Sequence, residues 1–270
     1  MTTLAEGSRH SPARLAASDA EAPRSGRRLF GGGMSVAIAM TVFVGFAPTY
    51  YMRSFFGGRE LSILIHMHGL AFSAWVVLFA AQTLLVAVHR TALHRQLGVA
   101  GAVVAVAAVV ISLTALFVSR ADAWRAWFAV SPTIVATIAA VMVDNSGNVI
   151  MFGGFVAAAM YCRHRRPESH KRLMLLACLA VMNAPVARII DGFGPWITPA
   201  AIAGLFDHGV ANVMALPFFL ALVLHDCRSL SKLHSATVWG GAVLFLLQPV
   251  CMFVVNHSDA IQAVRKSAGS

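Results

Sequence analysis

The chain has 270 residues, of which 58% are hydrophobic and only 12% charged, and its mean hydropathy is +0.73. A soluble core of this size cannot hide that much apolar surface, so composition excludes an ordinary soluble domain and predicts an integral membrane protein. The net charge of +10 would suit a nucleic-acid partner if it were clustered on a polar surface, but it is distributed among hydrophobic segments and reads as topological instead.

Residues 1–33 are rich in Ala, Ser, Gly and Arg without apolar periodicity, which predicts a disordered basic cytoplasmic tail. The RRLF stretch at Arg27–Phe30 resembles a twin-arginine signal. The only small-residue cleavage candidate, GFA at Gly45–Ala47, is followed by Pro48, so the first apolar run is read as a retained anchor. Residues 34–255 then form a seven-helix transmembrane domain, and residues 256–270 a short C-terminal tail. The seven apolar runs are Met34–Tyr50, Leu61–Val88, Leu97–Val118, a segment within Ile134–Cys162, Leu173–Ile190, a segment within Ile197–Leu224, and Ala236–Val255. Each can cross a hydrocarbon layer of roughly 30 Å as a helix rising about 1.5 Å per residue. Lipid-exposed backbone must satisfy its own hydrogen bonds, and the runs are continuous rather than alternating, so the expected fold is an all-α membrane bundle and not a β-barrel.

Orientation follows from the basic residues. With the N-terminus inside, the cytoplasmic segments carry Arg9, Arg14, Arg24, Arg27, Arg28, Arg90, Arg95, Arg163, Arg165, Arg166, Lys171, Arg172, Arg228 and Lys232. The outer segments carry Arg53, Arg59, Arg120, Arg125, Arg265 and Lys266. This asymmetry predicts an N-in, C-out topology for seven spans. Cys162, Cys178, Cys227 and Cys251 have no CxxC spacing and are read as packing residues rather than a disulfide framework or zinc knuckle.

Depth sorts the polar residues into two groups. His66 and His68 lie in the outer third of the second span. Asp144 precedes the inner exit at Cys162 by 18 residues, roughly 27 Å of helix. Asp207 and His208 sit at a similar height in the sixth span, and Arg188 lies in the last turn of the fifth. Four helices are thus expected to bring ionisable groups to one outer layer. Such residues cost at least about 2.5 kcal/mol each within a span and usually face a cavity or a partner. The second group, His89, His94, His164, His170, His225 and His234, is mixed with Arg and Lys at inner helix ends, where snorkelling anchors are expected. A lipid headgroup or quinone-edge contact is the functional alternative for these.

Within LSILIHMHGLAFSAW, residues two apart point about 200° apart on a helix, so only one of His66 and His68 can face the bundle interior. His68, Trp75 and Gln82 recur at sevens and define the expected interior face.

Two chemistries fit the outer layer. A b-type haem needs axial imidazoles from different helices, supplied by His68 or His66 with His208, and a basic group such as Arg188 for its propionates. A transition metal ion could be held by His66, His68 and His208 with Asp144 or Asp207. The alternative class is a non-enzymatic membrane subunit or a small-molecule transporter whose buried charges are structural. Expected partners are the lipid bilayer and either a membrane partner subunit or a quinone, with no nucleic acid.

HMHG at His66–Gly69, HRQLG at His94–Gly98 and RRPESHKRLMLLA at Arg165–Ala177 make the chain resemble a family of functionally uncharacterised bacterial multipass membrane proteins. Arg188 and LHSATVWGG at Leu233–Gly241 extend the likeness. The resemblance implies the helical membrane topology and no particular activity. A looser similarity to b-type cytochrome bundles rests on histidines near helix ends. The chain lacks histidine pairs spaced to reach both leaflets from one helix, which leaves at most one outer haem easy to build.

Overall fold

A computed structural model describes residues 12–58, 60–118, 132–197 and 215–257. Among these the chain is helical, without strands. Helix α1 spans Pro12–Phe46, starting inside the segment read as a tail, and runs into a π-helical turn at Ala47–Tyr51. Then come α2 (Ile63–Ala87), α3 (Thr91–Val118), α4 (Pro132–Cys162), α5 (Pro167–Ala180), α6 (Asn183–Ile197), α7 (Leu216–Leu230) and α8 (Ser235–Asn256). Among the described residues three helical segments are long and apolar enough to cross a membrane, namely Leu29–Tyr51, Ile63–Ala87 and Thr91–Val118. A fourth crossing results if α5 and the Asn183–Ile190 part of α6, bent by 42°, count as one.

Local chemistry sets these boundaries. Ser62 caps α2, its hydroxyl accepting from Ile65 N. Pro48 has no N–H to give, and the ladder widens there to an i+5 bond, Met52 N to Ala47 O at 2.8 Å. The run Leu173–Ile190, expected as one span, is broken at Val181–Met182. A proline ring clashes with the carbonyl four residues earlier, which for Pro185 is Val181. The chain answers by tightening: Val181 N and Met182 N bond Cys178 O and Leu179 O, and a new helix starts.

Helices α1, α2, α3, α4 and the bent pair α5–α6 pack in sequence around a closed ring, since α6 returns to α1. Helix α8 lies against α4 and α5, and α7 touches α1, α5 and α8. The ring centre is an aromatic and aliphatic core in which Trp75 meets Phe152 edge-on at 5.0 Å, with Ile38, Leu176 and Leu179 fully buried around them.

Helix α3 illustrates how the sequence assigns faces. Gly101, Ala105, Ala108, Ser112 and Ala115 are buried, while Val99, Val103, Val106 and Val110 are exposed on the opposite side. Small residues inward and branched apolar residues outward invert the soluble pattern and suit a helix bordered by lipid.

Close approach is enforced at two glycines. A Cβ at Gly45 would overlap the Pro185 carbonyl, so α1 crosses α6 backbone to backbone. A Cβ at Gly240 would overlap the Leu176 side chain, so α8 lies tightly on α5.

Candidate functional site

Above the aromatic core the ring lining turns polar. Three contacts fix the heights: His68 meets Ser112, Phe72 meets Phe152, and Gly153 faces Val109. Helix α4 runs antiparallel to α5–α6, since Ala159 meets His170 and Asp144 meets Asn183, so α2 and α4 share one direction with α3 opposed. His68, one turn before Phe72, and Asn148, one turn before Phe152, share a level with Ser112. Asp144 stands one turn further out.

His68 is half-buried and its Nδ1 lies 3.0 Å from Ser112 Oγ. The Ser112 hydroxyl is already donated to the Ala108 carbonyl, which can only accept. Nδ1 must therefore carry the proton and donate to Ser112, leaving the lone pair on Nε2. His66 points elsewhere: it is exposed beside Tyr50, whose hydroxyl donates to the His66 carbonyl at 3.1 Å.

Asp144 Oδ2 accepts from Asn148 Nδ2 at 3.2 Å and from Asn183 Nδ2 at 3.4 Å. Asn183 begins α6 at the break, so the carboxylate ties α4 to the start of that helix. Asn148 is 3% exposed and its Oδ1 is buried without a hydrogen-bond partner among the described residues, at a cost of about 1–3 kcal/mol. Arg188, one turn beyond Ala184–Pro185, donates to Ala184 O and lies 4.5 Å over the Phe46 ring. The structure thus brings His68, Asp144 and Arg188 to one end of the ring and leaves His66 on the rim. Asp207 and His208 lie outside the described residues. Among the described residues no three His, Cys, Asp or Glu side chains come together as a metal-binding group.

The strongest polar assembly was not anticipated. Arg172, counted in the sequence among inner-end basic residues, is 4% exposed, and Asp226 is fully buried. Arg172 Nε and Nη2 donate to Asp226 Oδ1 at 2.9 and 2.5 Å, and Nη1 donates to Glu168 Oε2 at 2.7 Å. The other Asp226 oxygen accepts from Thr237 Oγ1 at 2.5 Å and from His234 N at 3.2 Å. One guanidinium and one carboxylate thereby clasp α5, α7 and the start of α8. Burial pushes the Asp226 carboxyl up, but hydrogen bonds from Arg172 and Thr237 outweigh it and hold the group below its ordinary value. Burial, and then the charge of Arg172, hold the His234 ring below the usual imidazole value. Its Nδ1 accepts from Ala236 N at 3.1 Å and caps α8.

A signal for this clasp exists in the sequence. Asp226 stands in the last turn of α7, where a helix dipole disfavours a carboxylate, so a cation had to be nearby. The segments Arg165–Ala177 and Leu233–Gly241, quoted above for their family likeness, are neighbours here through Arg172–Asp226–Thr237 and Leu176–Gly240. No protein-family model, curated protein or solved structure matches the chain.

Proposed function

We propose that the chain is a seven-span, N-in and C-out protein of a bacterial inner membrane whose outer polar layer holds a haem or a transition metal ion in a redox role. One observation carries the reading. The Ser112–Ala108 arrangement sets the tautomer of His68 and leaves Nε2 able to coordinate, which is how metal-binding imidazoles are commonly oriented. The aromatic floor of Phe72, Phe152 and Trp75 supplies the apolar wall that a porphyrin edge requires. His208 is the proposed second axial ligand, with His66 as substitute. Arg188 is the proposed partner for a propionate. Asp144 is assigned to positioning, because one of its oxygens is engaged by two amides, and Asp207 is kept as the carboxylate alternative. A bound haem or metal would supply one-electron chemistry; the residues orient it and exclude water. A quinone or a membrane subunit is the proposed electron partner.

The Arg172 clasp favours the second reading in part, since those charges satisfy one another and are structural. An optical spectrum of the purified protein separates the two. The haem form of the proposal predicts a Soret band lost in His68→Ala and His208→Ala, and the metal form predicts bound metal lost in the same variants. A colourless protein free of metal removes both.

A further inference from the structure

The end of the bundle that bears the α2–α3, α4–α5 and α7–α8 turns is one surface. The Arg172 clasp joins the last two turns, and the α2–α3 and α4–α5 turns both lie beyond the Phe72–Phe152 contact between the co-directional helices α2 and α4. Exposed basic side chains here include Arg90, Arg95, Arg163, Arg165, Arg166, Arg228 and Lys232. Glu168 and Asp226 are both engaged by Arg172, with Lys171 sharing Glu168 at 2.8 Å. Neither of these two carboxylates pairs with any of those seven cations. Just inside this rim, Tyr161 is 83% and Trp239 is 74% exposed, where amphipathic rings sit at head-group depth.

We infer that this surface docks the phosphate head groups of anionic phospholipids, with the α4–α5 turn as its centre. A positive rim over exposed aromatic rings matches a phosphate diester above acyl chains better than it matches a soluble anion, which has no use for the aromatic layer. Guanidinium groups are suited to phosphate through paired donors. Because Arg172 holds Glu168 and Asp226, these two carboxylates do not compete with phosphate for the rim cations.

The test is thermal unfolding of the intact chain in nanodiscs of phosphatidylcholine against nanodiscs containing phosphatidylglycerol. The anionic lipid is expected to raise the midpoint by roughly 5 °C. That shift is expected to shrink at about 0.5 M salt, where screening length falls to about 4 Å, and to vanish in R163Q/R165Q/R166Q. Arg53→Gln at the opposite end is expected to keep it. Removing three arginines also weakens the topological signal, so the salt arm on the unaltered chain stands independently. Equal midpoints in the two lipids, a salt-insensitive shift, or the same shift from inorganic phosphate added to phosphatidylcholine nanodiscs would each overturn the assignment. None of these readouts involves a cofactor, so the result is independent of the His68 centre.

Discussion

At the residue scale, hydrogen-bond direction determines what each polar side chain can do. Ser112 has one proton and gives it to Ala108, so it fixes the proton of His68 on Nδ1. Ser112→Ala removes that constraint without touching Nε2. Cofactor retention is expected to fall about 10- to 100-fold, read as the bound fraction after dilution and dialysis; unchanged retention would show that the serine does not orient the ligand. Asp226→Asn acts differently, since it removes the fully buried one of the two carboxylates that pair with the Arg172 guanidinium and leaves only the half-exposed Glu168. The expected loss is about 3–5 kcal/mol of stability, with Thr237→Val costing about 1–3 kcal/mol, both read from thermal unfolding.

Proton linkage has a definite sign here. Asp226 is held below its unfolded value, so its contribution is present above about pH 4 and is lost as pH falls through the depressed folded value. His234 is also depressed, so neutral His234 favours the folded form above about pH 6.5 and stability declines below it. Both groups predict a midpoint that falls on acidification, in two steps. A midpoint that rises between about pH 7 and pH 5 would contradict the assignment. His68 could be picked out in the sequence because its inward face follows from helical periodicity. Arg172 could not, because a basic residue at a helix end has the same local pattern whether it reaches for head groups or turns inward to a carboxylate far away in sequence.

At the element scale, close packing depends on missing side chains. Gly45 crosses Pro185 backbone to backbone, whereas Gly240 meets the side chain of Leu176, which can change rotamer. Gly45→Ala is therefore expected to cost more than Gly240→Ala, both within or above the roughly 1–3 kcal/mol typical of overpacking. Equal midpoints for the two variants would contradict the backbone crossing. The apolar runs predicted the helices because hydrophobic length is a one-dimensional property. The break between α5 and α6 was announced only by Pro185, and its position at Val181–Met182 depends on the proline clash rather than on hydropathy. The closed ring could not be read from the sequence, because the pairing of α1 with α6 joins residues far apart in the chain, such as Gly45 with Pro185 and Phe46 with Arg188.

At the scale of the whole molecule, the described residues of the ring fall into layers: a polar end, an aromatic floor and, at the opposite end, a basic rim joined by the Arg172 clasp. The seven-span, N-in and C-out proposal predicts a periplasmic signal from a reporter fused after Ser270, and a cytoplasmic signal would mean an even number of crossings. Composition alone pointed to long apolar helices, whereas the polar contacts needed coordinates: depth follows from counting residues, but direction around a helix axis depends on neighbours. The most direct measurement of the proposed centre is haem extraction with elemental analysis on the native chain, His68→Ala and His66→Ala, each verified as folded by its unfolding midpoint. The account predicts a bound haem or metal in the native chain and in His66→Ala, and its loss in His68→Ala. A folded His68→Ala that keeps the full complement, or a native chain that carries neither haem nor metal, would contradict it.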